Sequence, residues 1–198
     1  MVYRLGWVAG AAGIVLALLR LDRLLKPSVD GVPWQLILLA AAVLGAAITW
    51  AGIAFRLDGR LVTAINLGAV VITAVRVAVP ATTWLVFPTL SSFGELRYEI
   101  EFAQEVIRAG IAPVIPLAGV VALLVIVFWA LGALLAWGLL TGRPYLAVLT
   151  PLVVYLQLAT MDRSPASWWV GLFLLFLGAA LLAVALDKRR EGTGLLTS

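Results

Sequence analysis

Neither histidine nor cysteine occurs among the 198 residues of the chain, so the commonest general base, the thiolate nucleophile and the imidazole and thiolate metal ligands are all missing. Any chemistry would fall to carboxylates. Glu95, Glu99, Glu101 and Glu105 share one short stretch, and Asp162 stands apart from them. Paired carboxylates can divide acid and base roles when their surroundings separate their pKa values, and Glu101 and Glu105 are spaced one helical turn apart. The same spacing supports a plainer assignment. Arg97 and Arg108 share that face, so the group reads as a solvated, charge-paired helix surface. No phosphate-binding loop, metal cluster or nucleotide motif accompanies it. The expectation is a non-catalytic chain, with no cofactor and no metal.

A second set of polar residues sits inside apolar runs. Arg76, Asn66 and Gln157 could converge on a polar path between helices, as in a transporter or channel component. Arg76 could pair with Glu95 or Glu99, or, one turn from the end of its run, snorkel to the headgroups. Gln157 suits an interhelical hydrogen bond.

The elements that must position these residues follow from composition. With 64% hydrophobic and 12% charged residues, against roughly 25% charged in soluble domains, and a mean hydropathy of +1.11, the chain reads as an integral membrane protein. The expected fold is all-α, a polytopic membrane helix bundle of about six spans, each needing roughly 17 to 25 residues. They run over Tyr3 to Leu19, Trp34 to Phe55, Leu61 to Val79, Leu117 to Leu140, Tyr145 to Thr160 and Val170 to Leu186. They make one membrane domain over 1–190, followed by a mobile cytoplasmic tail at 191–198.

Trp34 is expected at a headgroup interface, and the indole of Trp129, mid-span, against a neighbouring helix. The short Arg56 to Arg60 turn makes its flanking helices antiparallel neighbours. Pro80 ends or kinks the third span, and Ala81 to Leu90 is too short to cross, which suits an interfacial or re-entrant piece.

Between the third and fourth spans lies the one long polar interruption. Ser92 and Glu95 have capping-box spacing, which predicts a helix over 92–109. Leu96, Ile100, Ala103, Ile107 and Gly110 share one face of it, with Arg97, Glu101, Glu105 and Arg108 on another. That amphipathic helix is the candidate partner-binding or interfacial element, through Glu95, Arg97, Glu101, Glu105 and Arg108.

The terminal Lys188, Arg189 and Arg190 and the short basic turns orient the chain with both termini cytoplasmic. The lipid bilayer is the first partner, and a membrane or extracytoplasmic protein or a second copy of the chain is a further one. Scattered basic residues give no basis for nucleic-acid binding.

From Glu95 to Arg190 the order of features is distinctive: the amphipathic helix, the run Gly110 to Gly119 (GIAPVIPLAG), a long span, Gly142-Arg143-Pro144-Tyr145, a short span, Ser167-Trp168-Trp169, and a last span closing on Asp187 to Arg190. This order resembles the N-terminal membrane region of prokaryotic transglutaminase-like membrane proteins of the TgpA type. The resemblance implies a membrane platform associated with an extracytoplasmic domain bearing a Cys, His and Asp triad. With no Cys or His present, none of that triad can be placed on this chain. What the resemblance carries over is a scaffold or anchor.

Overall fold

The computed structural model describes residues 2–24, 34–80, 83–84, 87–108 and 117–143, with helical pieces at 146, 149–150, 152–154, 170–171, 174–175 and 177–178. Five helices are delimited: α1 (Val2–Leu24), α2 (Trp34–Ala54), α3 (Gly59–Ala78), α4 (Leu90–Arg108) and α5 (Ala118–Leu140). Between α3 and α4 a two-residue antiparallel ladder pairs β1 (Thr83–Trp84) with β2 (Phe87–Pro88). Among the described residues three helices, α2, α3 and α5, are long and apolar enough to cross a membrane. The fifth and sixth expected spans are described only in those short helical pieces, and Gln157, Asp162 and the tail lie outside the described residues.

α1 outruns its expected span, because Arg20 to Leu24 continue the helix. Charge ends an apolar run, but arginine and leucine remain good helix formers.

The helix ends follow local backbone chemistry. α2 and α5 close with the same pattern of hydrogen bonds. Leu57 N–H donates to Gly52 C=O at 2.9 Å, and Arg143 N–H donates to Gly138 C=O at 2.7 Å. In each case the preceding residue is left-handed, Arg56 at φ 55° and Gly142 at φ 71°, as this C-terminal motif requires. Gly142 adopts that conformation without strain, whereas Arg56 carries a side chain there. α3 starts two residues before its expected span, since Asp58 caps it by accepting from Arg60 N–H at 3.4 Å.

α5 is the hub. It packs against α1, α2, α3 and α4, and Val125, Phe128, Leu131 and Leu139 are buried along it. Small residues allow its closest approaches. A Cβ at Gly132 would collide with the Ala42 backbone, and one at Gly45 with the Trp129 carbonyl. Ala42 thus sits level with Gly132 and Gly45 with Trp129, so α2 and α5 run in opposite directions. Gly119 lies against the backbone of Glu99 in α4, and Gly10 of α1 against Leu135.

α3 meets this pair obliquely. Near its start Val62 lies against Gly52 of α2, and near its end Ala74, Ala78 and Val79 cluster with Ala122 of α5 and Leu96 of α4.

The bundle is apolar on the outside. Leu36, Val43 and Trp50 of α2, Leu67 of α3 and Val8 of α1 are all more than half exposed, a surface that water tolerates poorly and acyl chains accept. Trp34, at the start of α2, is 3% exposed, packed in the core cluster that includes Leu18, Leu21 and Leu38. Its indole N–H finds no acceptor among the described residues.

Candidate functional site

α4 begins at Leu90, two residues before the expected start, because the capping residues lie three residues upstream of the expected pair. Thr89 backbone N–H donates to Ser92 Oγ at 3.1 Å, and Ser92 N–H donates back to Thr89 C=O at 3.1 Å. Ser92 therefore occupies the position that Glu or Gln holds in a capping box, with Thr89 as the cap. Its hydroxyl also lies 3.0 Å from Thr89 Oγ1, and the serine is fully buried. Glu95 is left exposed.

The apolar face of α4 docks where the spacing predicts. Ala103 is fully buried, and Leu96 and Ile100 are half-buried. Glu99 comes with them: its side chain is half-buried and its carbonyl lies over Gly119. Opposite this seat, Gly94, Arg97, Glu101 and Glu105 are exposed. Arg97 Nε donates to Glu101 Oε1 at 2.7 Å, one turn away. That hydrogen bond, then the Glu101 charge, raises the Arg97 pKa above its ordinary value. Phe93, Tyr98 and Phe102 are exposed as well, so aromatic rings border the charged stripe. Arg108 closes the helix.

Of the polar residues within apolar runs, Asn66 and Arg76 are described, and they stand apart on α3. Asn66 faces the point where three helices meet. Its Nδ2 donates to Thr49 Oγ1 of α2 at 3.2 Å and to Val62 C=O at 3.0 Å, while its Oδ1 accepts from the Trp129 indole of α5 at 3.0 Å. The amide orientation is set by chemistry, since an indole N–H can only donate and a carbonyl can only accept. Thr49 and Trp129 are 4% and 3% exposed. Arg76, about 15 Å further along α3 at 1.5 Å per residue, is exposed and donates through Nη1 to Pro80 C=O at 2.9 Å. A cation beside the last carbonyls of a helix is well placed against the macrodipole.

No family model matches this chain, and no curated protein or solved structure is similar to it. Function has to be read from these two places. Among the described residues no group of three or more Asp or Glu is arranged to hold a metal ion. The α4 stripe offers hydrogen-bonding and charged groups to the outside, whereas the Asn66 cluster is turned inward and uses its groups on other helices. Sequence reading placed Trp129 against a neighbouring helix and singled out Asn66. It missed Thr49, whose signal was a hydroxyl within a run of alanine, glycine and leucine.

Proposed function

We propose that this chain is a non-catalytic membrane scaffold or anchor, a polytopic helix bundle whose α4 surface receives a membrane or extracytoplasmic protein. The observation that carries this reading is the division of α4. Leu96, Ile100 and Ala103 seat the helix on α3 and α5, leaving Arg97, Glu101 and Glu105 outward among exposed aromatic rings. Aromatic and arginine side chains bordered by polar groups suit protein contacts. The terminal basic residues Lys188 to Arg190 face the cytoplasm on the positive-inside rule, and the partner class implied by the transglutaminase-like resemblance is an extracytoplasmic domain.

Photocrosslinkers placed at Glu101 and Glu105 in native membranes test the reading. Recovery of one defined protein, lost when Phe102 and Tyr98 are both changed to serine, is the expected result. Recovery of lipid alone would sink the docking role. A polar transport path draws less support, because Asn66 is committed to Thr49 and Trp129 and Arg76 lies elsewhere. Arg76→Leu should leave solute flux unchanged.

A further inference from the structure

α2 and α5 are the two apolar helices in closest contact, and their registers run oppositely: Gly45 meets Trp129, and Ala42 meets Gly132. If both cross the bilayer, the chain that leaves α2 and enters α5 must leave and return on one side. α3 lies within that connection, and 20 residues make it about 30 Å long at 1.5 Å per residue. As a full crossing it would bring α5 into the membrane in the same direction as α2, against the observed register.

The contacts of α3 agree. Its first turns touch Gly52 at the end of α2, and its last turn clusters with Ala122 at the start of α5 and with Leu96 of α4. In an antiparallel pair, the end of α2 and the start of α5 lie at the same level. Both ends of α3 therefore meet one end of the pair. Asn66, between them, bridges to both helices.

We propose that α3 does not cross the membrane but lies along one leaflet, beneath α4, as an interaction surface for acyl chains. Its exposed Leu61, Ile65, Leu67 and Val71 face the lipid. Arg60 and Arg76, near its two ends and both exposed, reach the same phosphate layer, as long basic side chains do from within a leaflet. The turn at Arg56 to Gly59 and α4 then share one side. If the remaining segments cross as expected from the sequence, the two termini lie on opposite sides rather than both in the cytoplasm.

This inference rests on the membrane reading of α2 and α5, and the test separates the two. The chain has no cysteine, so single cysteines can be placed in the full chain at Gly59 and Gly94, where an added Cβ meets nothing within 4 Å, and at exposed Thr141 and Leu67. Each is labelled with an impermeant maleimide in intact cells and in inverted vesicles, with labelling after denaturation as the reference. The expected result is labelling of Gly59→Cys and Gly94→Cys from one side, of Thr141→Cys from the other, and protection of Leu67→Cys from both. Labelling of Gly59→Cys and Gly94→Cys from opposite sides would show that α3 crosses and overturn the proposal. Aqueous labelling of Leu67→Cys would overturn its lipid contact. Thr141→Cys on the same side as Gly94→Cys would instead mean that α5 does not cross, removing the membrane reading beneath it.

Discussion

The indole of Trp129 donates to Asn66 Oδ1 at 3.0 Å across the α5–α3 contact, and the same amide holds Thr49 of α2 at 3.2 Å. One side chain thus ties together the three helices that, among the described residues, are long and apolar enough to span a membrane.

Removing that amide should cost more than the bonds it makes. Asn66→Ala leaves the Trp129 N–H buried without an acceptor, a loss of about 1–3 kcal/mol. Unfolding in one detergent, by heat or by denaturing detergent, measures it. Combining Asn66→Leu with Trp129→Phe removes donor and acceptor together and should recover part of the loss. Simple additivity of the two changes would show that the bond contributes nothing.

Two glycine-to-alanine changes should have opposite signs. Gly132→Ala drives a methyl into the Ala42 backbone, and pushing α2 away from α5 should cost about 1–3 kcal/mol or more. Gly68→Ala, at an open position inside α3, should stabilise by roughly 0.5–1 kcal/mol through helix propensity alone. The same unfolding assay compares them.

Arg56 offers a gain where a side chain occupies a left-handed position. Its φ of 55° suits glycine, and Arg56→Gly should stabilise the end of α2 by roughly 1 kcal/mol. Hydrogen exchange at the Arg56 and Leu57 amides, which bond back to Ile53 and Gly52, should slow. Faster exchange would mean that the arginine side chain contributes to this turn.

α4 should detach without unfolding the pair beneath it. Ala103 is fully buried over Gly119, so Ala103→Leu overpacks that contact by about 1–3 kcal/mol. Proteolysis within α4 should accelerate while the α2–α5 unfolding transition stays in place. A matching shift in both would make α4 part of the same cooperative unit.

The Arg97–Glu101 pair should confer no pH dependence through its arginine near neutrality. Folding raises the Arg97 pKa above its ordinary value, so its contribution is whole below the unfolded value and is lost only as pH rises through the higher folded value. Between about pH 6 and pH 9 the protease sensitivity of α4 should be flat on this account. A steep change in that window would have to come from another group.

Much was legible in one dimension. Lengths of apolar run located α2, α3 and α5, because an uninterrupted hydrophobic stretch bounded by charge or turn residues has few structural outcomes. The spacing of Leu96, Ile100 and Ala103 identified the seated face of α4, because helical periodicity is a local property. Caps were legible only by class: Ser92 and Glu95 match the capping-box pattern, yet the reciprocal hydrogen bonds form three residues earlier, between Thr89 and Ser92.

What required the tertiary structure was direction and partnership. Hydropathy assigns α3 the same character as α2 and α5, yet the contacts Gly45 with Trp129, Gly132 with Ala42, and Ala122 with the end of α3 set its path. Those contacts depend on where small residues on separate helices coincide in space. Asn66 carries the same lesson: an amide in an apolar run is compatible with a polar path or a helix clamp, and only the positions of Thr49 and Trp129, distant in the chain, show which groups complete its hydrogen bonds.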